Sequence, residues 1–455
     1  MKPDGAYTAS GHDADEFARL HTFADSLAQE LGEGAARPSG KVLEAIGTLI
    51  RVGGIDVRLG ELCELQTPRG ALMQLAEVVG FSRDTALLSP FGQLADLSRE
   101  TRVVALRRPL EVPVGDALLG RVIDSLGAPL DHRGPIDAKA FRPIYAPPPN
   151  AMSRPLIERA LATGVRAVDG MMTLGEGQRM GIFAPAGVGK STLMGMFARG
   201  TDCDVNVIAL IGERGREVRE FVEQILGTAG MARSIVVCAT SDRSSIERVK
   251  AAYAATAIAE YFRDAGKRVL LMMDSLTRFA RAQREIGLAA GEPPARRGFP
   301  PSIFAELPRL LERAGLSERG SITALYTVLA EDESASDPIA EEVRGILDGH
   351  MVLSRDIAAR NQYPAIDVGA SLSRVMPQVT DPAHRDAAGH VRKLMAKYRD
   401  IETLLQLGEY REGGDPLADE AVRKRDAIHA FLCQRTDEPS RQADTLDALR
   451  QLYMD

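Results

Sequence analysis

A glycine-rich run that ends in lysine and serine is the first stretch whose residue types and spacing predict chemistry. Residues 181–192 read GIFAPAGVGKST. Gly187 and Gly189 allow the backbone to turn tightly and to point its N–H groups at phosphate oxygens. In such a loop Lys190 reaches the β- and γ-phosphates, and Ser191 offers its hydroxyl to Mg²⁺. The candidate nucleotide-binding residues are therefore Ala184, Pro185, Ala186, Gly187, Val188, Gly189, Lys190, Ser191 and Thr192.

The surroundings of this phosphate loop (residues 184–191) favour that interpretation. The apolar residues 193–197 after it predict a buried helix, whose N-terminus adds positive potential for an anion. One position departs from the usual motif, because Ala184 stands where its first glycine is expected. The alternative is a glycine-rich strand-to-helix turn without nucleotide, and the order Gly-Lys-Ser at the start of an apolar helix argues against it.

A second candidate lies at the end of an apolar run. Residues 268–275 read RVLLMMDS, which predicts a buried strand that ends at Asp274. Many strands end in an aspartate that only caps a turn, so the pattern alone is weak. Beside a phosphate loop such a carboxylate holds Mg²⁺. Ser191 and Asp274 are therefore the predicted metal-binding residues.

A charged segment follows another apolar run, residues 205–211. A carboxylate at the C-terminal end of a strand in a doubly wound sheet faces the ligand site. Glu213 is then positioned to polarise an attacking water, and Arg214 to orient it or to stabilise phosphate charge. The alternative is a solvated helix start in which the mixed charges of residues 213–220 pair with each other. The spacing leaves both interpretations open.

Residues 363–374 read YPAIDVGASLSR and supply two further candidates. Tyr363 could cover an adenine ring. Arg374 follows two serines in a turn-like context, and a flexible arginine near a subunit edge could complete a neighbour's site. Taken alone, Arg374 is more simply interpreted as a surface arginine.

The elements that must position these residues change in type along the chain. Short strands with turns between residues 41 and 108, for example at 47–52, 55–57 and 75–79, predict a small β-barrel. From about 155 to 378, near-continuous apolar runs alternate with helical segments such as 245–263, which is typical of a parallel sheet covered on both faces. Residues after 380 predict paired helices over 391–405 and 421–432. Residues 16–31 have weak helical spacing and predict either a frayed arm or a docking helix for a regulator.

Composition limits the classes of function. The chain has 455 residues, a net charge of −7, no tryptophan and 5% aromatic residues, which argues against a broad nucleic-acid-binding surface. Its four cysteines are scattered without a C-x-x-C pair, as expected for reduced thiols in a cytoplasmic protein. No apolar run approaches the roughly 20 residues of a membrane helix, so membrane association is expected only through partners.

Together, the motifs resemble one family. The residues that carry the resemblance are 163–170, the phosphate loop, 211–218, 274–280 and 364–373. They resemble the hexameric ATPases related to the subunits of rotary ATP synthases, and most closely the type III secretion system ATPases. Residues 242–245 and 298–302 look most like the injectisome ATPases of Hrp-type systems. The resemblance covers about residues 40 to 435.

This resemblance implies an α/β fold with a RecA-like parallel-sheet nucleotide domain, an N-terminal β-barrel and a C-terminal helical domain. The implied boundaries are 1–38 for an N-terminal arm, 39–108 for the barrel, 109–379 for the ATPase domain and 380–455 for the helical domain. ATP and Mg²⁺ are the implied cofactors. The implied catalytic residues are Glu213 as general base, Lys190 and, donated to the neighbouring subunit, Arg374; Tyr363 lies at the adenine. Arg214 stays a catalytic candidate from its position after residues 205–211.

The implied function is a hexameric ATPase motor that energises protein export and releases or unfolds chaperone-bound substrates. Implied partners are the regulator and stalk proteins of the secretion apparatus and chaperone–effector complexes, without nucleic acid. The protein would lie in the cytoplasm, peripherally at the inner-membrane face of the apparatus. Alternatives are a non-catalytic or rotary ATP synthase-type ring subunit, although non-catalytic subunits carry glutamine where this chain has Glu213, and an RNA translocase of the termination-factor type. The translocase would need exposed aromatic residues, yet 41–108 contain only Phe81 and Phe91.

Overall fold

The computed structural model describes residues 37–94, 97–330 and 337–454. The predicted N-terminal arm therefore lies outside the described residues, except for its last two positions. Six antiparallel strands close a barrel in the order β1-β2-β5-β4-β3-β6. They are β1 (Ser39–Ile46), β2 (Leu49–Gly53), β3 (Glu61–Gln66), β4 (Leu72–Ser82), β5 (Thr85–Pro90) and β6 (Arg102–Pro109). Inward-facing apolar side chains such as Ile50, Leu65 and Val78 fill its interior.

The barrel is confirmed, but one strand predicted within it is wrong. Residues 55–57 form no strand. Gly54, with φ 71°, follows the end of β2 and turns the chain there, so residues 55–57 do not continue that strand. Val57 joins the barrel core instead.

The predicted parallel sheet is also confirmed. It has nine strands in the order β19-β18-β12-β17-β15-β13-β14-β8, with β16 paired to β17. The pairs β16–β17 and β18–β19 are antiparallel, and the other pairs are parallel. Its strands are β8 (Val122–Ile123), β12 (Arg179–Ala184), β13 (Val205–Ile211), β14 (Ser234–Ala239), β15 (Arg268–Asp274), β16 (Gly315–Leu316), β17 (Ser321–Leu329), β18 (Gly349–Val352) and β19 (Leu372–Ser373). Two separate two-stranded sheets pair β7 (Glu111–Val114) with β9 (Ala140–Pro143) and β10 (Ala160–Leu161) with β11 (Leu174–Gly175).

Helices cover both faces of this sheet and form the C-terminal region. The α-helices are α1 (Arg166–Met171), α2 (Lys190–Gly200), α3 (Gly215–Glu220), α4 (Gly227–Met231), α5 (Ser245–Asp264), α6 (Leu276–Ala289), α7 (Pro301–Leu311), α8 (Pro338–Ile346), α9 (Arg355–Ala359), α10 (Met376–Val379), α11 (Pro382–Leu407), α12 (Pro416–Leu432) and α13 (Gln442–Met454). Short 3₁₀ turns lie at Asp116–Leu118, Ala151–Ser153 and Arg296–Gly298, and a π-helical turn at Phe221–Leu226 joins α3 to α4. No helix in the described ranges is long and apolar enough to cross a membrane.

Local sequence explains where the long helices begin. Ser244 and Glu247 form a reciprocal capping box at the start of α5. Asp381 and Asp415 cap α11 and α12, each followed by a proline at the first helical position. The paired C-terminal helices are thereby confirmed, and α11 ends at Gly408, which adopts the left-handed conformation. Apolar side chains of α11 and α12 join the core on the α2 face of the sheet, so the helical region packs directly on the nucleotide domain.

Candidate active site

Three predicted side chains meet at one edge of the parallel sheet. Lys190 is the first residue of α2, which follows the loop after β12. Glu213 comes two residues after β13, and Asp274 is the last residue of β15. The carboxyl ends of parallel strands form a crevice at which α/β proteins bind their ligands. The order β12-β17-β15-β13 brings these residues, distant in sequence, to that edge.

The phosphate loop has the backbone conformation that its glycines allow. Gly187 and Gly189 have φ values of 82° and 87°, which strongly favour glycine. No side chain caps the N-terminus of α2, so its first N–H groups remain directed toward the loop. Ala184 is the buried last residue of β12 and pairs with Leu329. The departure from the usual glycine therefore falls on a strand residue rather than on the turn.

A lysine between two carboxylates forms the centre of the site. Lys190 Nζ contacts Asp274 Oδ1 and lies 3.9 Å from Glu213 Oε1. Thr327 on β17 donates its hydroxyl to the same Asp274 oxygen at 2.7 Å. The side chains of Asp274 and Glu213 are only 4% and 14% exposed. Opposite charges held this close in a partly dry site interact far more strongly than in water.

Burial tunes the acidity of Glu213. Desolvation and the nearby Asp274 carboxylate raise its pKa to about 7, against the opposing influence of Lys190 and Arg278. A general base works best when its pKa lies near the operating pH. The structure therefore gives Glu213 the acidity expected of a proton acceptor, and the neighbouring cations keep its ionised form accessible.

Two further residues complete the cluster, and sequence reasoning missed their roles. Arg278 Nε lies 3.2 Å from Glu213 Oε1. A Cβ added to Gly212, whose φ is 69°, would lie 2.8 Å from Arg278 Cδ, so glycine there also makes room for the arginine. Arg278 lies in the segment 274–280 that carries the family resemblance, which was the available signal. Thr327 lies within an apolar strand and gave no signal.

Arg214 lies outside this cluster. Its guanidinium is 74% exposed and pairs with Glu217 Oε1 at 3.2 Å, at the start of α3. This is the paired, solvated arrangement that the charge run also predicted. Arg214 is thus adjacent to Glu213 in the chain, but its side chain is exposed to solvent.

Tyr363 and Arg374 occupy two ends of one segment. The Tyr363 ring lies beside the phosphate loop, 3.6 Å from the position of a Cβ added to Gly189, and is 42% exposed. Arg374 directly follows edge strand β19 and is exposed, with its backbone N–H donated to Asp348 O at 3.0 Å. Within the described ranges, its side chain makes no ion pair with Glu213 or Asp274. The structure brings Tyr363 to the loop but not Arg374.

Comparison with known proteins gives this geometry its context. The models of the ATP synthase alpha/beta family match residues 42–107 for the beta-barrel domain and 164–373 for the nucleotide-binding domain. The T3SS EscN ATPase C-terminal domain model matches residues 380–451. A type 3 secretion system ATPase from Xanthomonas euvesicatoria is 71% identical over 413 residues, which cover 91% of this chain and 93% of the relative.

The chain belongs to the type III secretion system ATPase family. The assembled ATPase EscN from the type III secretion system of enteropathogenic E. coli has a similar structure, with a TM-score of 0.86 and 46% identity over 91% of this chain and 99% of EscN. EscN in complex with its central stalk EscO matches with a TM-score of 0.84 and the same identity and coverage. Lys190, Glu213 and Asp274 all lie within residues 164–373, the range that matches the nucleotide-binding domain model.

The acidity of Glu213 predicts a pH-dependent effect of its replacement. A raised carboxyl pKa means that the folded state binds the proton more tightly than the unfolded state, in which the reference pKa of a glutamate is 4.5. Ionised Glu213 therefore destabilises the fold increasingly from pH 4.5 to about 7, and fully above that. Glu213→Gln should raise the free energy of unfolding by on the order of 1 to 3 kcal/mol at pH 8, and progressively less toward pH 5.

Urea denaturation without nucleotide, at several pH values between 5 and 8, measures this difference. Glu223→Gln is the matched control, because its exposed carboxylate pairs with Arg219 on the surface, and its effect should be small throughout. If Glu213→Gln changes the free energy of unfolding by the same amount at every pH in this range, the pKa of Glu213 is not raised in the folded state.

Proposed function

We propose that this ATPase hydrolyses ATP at subunit interfaces of a homohexameric ring and thereby drives protein export. The observation that carries the proposal is the Lys190 ammonium held between Asp274 and Glu213 at the carboxyl edge of the sheet. In phosphoryl transfer, catalysis consists mostly of positioning and electrostatic stabilisation. At this edge Lys190 supplies the positive charge, Asp274 the carboxylate for the metal ion, and Glu213 the base.

Each residue of the cluster has a separate role. Lys190 binds the β- and γ-phosphates, together with the N–H groups of the phosphate loop. Glu213 accepts a proton from, and orients, the attacking water. Arg278 pairs with the Glu213 carboxylate, and Thr327 donates a hydrogen bond to Asp274. Tyr363 lies where an adenine ring would pack beside Gly189.

The donor set fits Mg²⁺. Ser191 presents an exposed hydroxyl at the start of α2, and Asp274 a carboxylate beside Lys190. Magnesium prefers such oxygen ligands and binds through one or two carboxylates plus substrate phosphates, rather than through a cage of protein groups. The described residues accordingly contain no cluster of three acidic, histidine or cysteine side chains that could hold a metal. When bound, the ion neutralises charge on the phosphates.

Membership of the family supports the ring and its partners, and the positions of Arg374 and Arg214 support the ring. Arg374 is exposed at the sheet edge and is not part of the cluster around Lys190, as expected of a group donated to a neighbouring subunit, and the Arg214 side chain is 74% exposed. The complex of EscN with its stalk supports a stalk partner here. A regulator, chaperone–effector complexes and a location at the cytoplasmic face of the inner membrane complete the proposal.

Mixing two inactive variants tests the shared site. Arg374→Ala keeps an intact Lys190 but donates no arginine, and Lys190→Ala donates Arg374 but cannot bind phosphate normally. We expect each variant alone to lose roughly 10³-fold or more of the turnover. Rings mixed in equal amounts should regain activity at about a quarter of the sites, where the intact halves meet at a head-to-tail interface.

Steady-state ATP hydrolysis of the mixture, with sedimentation to show a common assembly, provides the measurement. Wild type titrated with Lys190→Ala is the control for subunit exchange. If the mixed rings form but stay inactive, or if Arg374→Ala retains wild-type turnover, Arg374 does not act across the interface.

A further inference from the structure

One side chain of the C-terminal helical region reaches into the segment that leads to Arg374. Arg392 lies on α11 and is half-buried. Its Nη1 donates to Val368 O and, at 3.4 Å, to Ser371 O. Its Nη2 donates to Met171 O, at the end of α1, at 2.7 Å. The guanidinium thus joins α11 to both ends of the turn at residues 368–371 and to the nucleotide domain beneath it.

The turn also has hydrogen bonds within itself and to β18, including one between Ala370 O and His350 Nε2 at 3.1 Å. Asp367 Oδ1 accepts from the N–H groups of Gly369 and Ala370 at 2.8 and 3.1 Å. The Ser371 hydroxyl donates to Asp367 O at 2.6 Å and accepts from Val352 N at 2.9 Å. These bonds shape the turn and attach it to β18. Arg399, also on α11, lies 3.6 Å from Asp367 Oδ1, so α11 reaches the turn through two arginines.

The chemistry of the Arg392 contact requires an arginine. The hydrogen-bond acceptors of Arg392 are three carbonyl oxygens, and burial lowers its pKa while the nearby Asp367 carboxylate opposes that shift. A planar guanidinium can donate in different directions to separate segments at once, whereas a lysine ammonium is a point charge on a flexible stem. A lysine at this position would keep the charge and lose the simultaneous contacts.

Arg374 is held in part through its neighbour Ser373, whose hydroxyl donates to Thr173 O at 2.9 Å and accepts from Gln178 Nε2 at 3.1 Å. Arg374 follows β19, a strand of two residues at the sheet edge, and its backbone N–H donates to Asp348 O. Its side chain is exposed, so its reach into a neighbouring subunit depends on the position of the backbone before it. A misplacement of about 1 Å in a catalytic group can lower a rate by roughly 10²-fold.

We propose that Arg392 is a positioning residue for Arg374, which couples α11 of the C-terminal helical region to the active site of the neighbouring subunit. The inference rests on the proposed donation of Arg374 across the interface. It assigns to α11 a direct mechanical contact with that arginine's segment: a shift of α11 moves the turn and therefore the donated side chain.

A matched pair of variants on the same helix tests the role. Arg392→Gln removes the guanidinium, and Lys393→Gln makes the same charge change at the adjacent, exposed position. We expect Arg392→Gln to lower kcat by about 10- to 100-fold and to leave the KM for ATP within about threefold. Lys393→Gln should match wild type. Arg392→Lys keeps the charge and should have the same low kcat as Arg392→Gln. It is the control for a folding defect caused by the loss of a buried charge.

Mixed rings separate a positioning role from general damage. Arg392→Gln subunits keep an intact site of their own, so mixing them with Lys190→Ala subunits, whose Arg374 segment is intact, should restore turnover at their shared interfaces. The mixture of Arg374→Ala with Lys190→Ala is measured in parallel. Sedimentation and thermal unfolding of each variant show that the rings remain assembled and folded.

The outcomes are distinct. Turnover of Arg392→Gln and Arg392→Lys near wild type overturns the inference. So does a loss that mixing with Lys190→Ala does not restore, when the parallel Arg374→Ala mixture is restored, because the defect then lies within the subunit's own site. Failure of the parallel mixture overturns the donation of Arg374 itself, and the inference with it.

Discussion

Glu213→Gln should abolish most ATP turnover while ATP still binds. The substitution keeps the size of the side chain and an oxygen that can face Arg278, whose Nε lies 3.2 Å from Glu213 Oε1. It removes the carboxylate that can accept a proton. Loss of a positioned general base lowers a rate by roughly 10²- to 10⁴-fold. Because Lys190 and Asp274 remain, nucleotide affinity should change far less than kcat.

Single-turnover hydrolysis and equilibrium binding of a fluorescent ATP analogue measure the two effects separately. Glu220→Gln is the matched control, because this exposed carboxylate pairs with Arg216 on α3 and should be replaced without loss of turnover. Hydrolysis by Glu213→Gln within about tenfold of wild type would exclude this residue as the base.

Lys250→Met should strongly destabilise the contact between the barrel and the nucleotide domain. Lys250 on α5 is 2% exposed, and its Nζ lies 2.6 Å from Oε1 of Glu77 on β4, which is 4% exposed. Tyr145, just after β9, also contacts Lys250 Nζ. Removing one partner of a buried ion pair leaves the other charge unpaired and costs about 3–5 kcal/mol.

The other Glu77 oxygen already lacks a hydrogen-bond partner, so its carboxylate depends on the lysine. Replacing both members, with Glu77→Leu added to Lys250→Met, should therefore recover part of the lost stability. The free energy of unfolding of both single variants, the double variant and wild type completes the cycle. Lys267→Met, at an exposed position just after α5, is the control and should change stability by less than about 0.5 kcal/mol.

A loss below about 1 kcal/mol for Lys250→Met, or a double variant less stable than either single one, would show that this pair does not hold the two domains together. The ATP turnover of Lys250→Met should also be measured, at temperatures where the variant stays folded. Because Lys250 lies outside the catalytic cluster, a loss of turnover there would show that the contact between the two domains affects catalysis.

The sequence alone predicted the fold class and the parts of the site that are local in the chain. The phosphate loop is recognisable because the turn, its glycines and the first residues of α2 are contiguous, so spacing carries their geometry. The apolar runs of β13, β14 and β15 predict buried parallel strands because both faces of such a sheet are covered. Asp274 and Glu213 were candidates because each follows such a run.

Tertiary structure decided which of these candidates meet. Strand order places the ends of β12, β15 and β13 at one edge, and no local pattern encodes that order. The sequence left two interpretations open for residues 213–220, and each holds for one of two adjacent residues. Glu213 lies in the site beside Lys190, whereas Arg214 is exposed and pairs with Glu217.

Contacts between distant segments were equally invisible in the chain. Arg278 reaches Glu213 because Gly212 makes room for it, Thr327 reaches Asp274 across adjacent strands, and Arg392 reaches the turn before Arg374 from another domain. Each depends on side-chain reach across packed elements. The spacing of residues in the sequence predicts the structure within one helix, strand or loop. Which residues of other elements contact it is decided by tertiary packing.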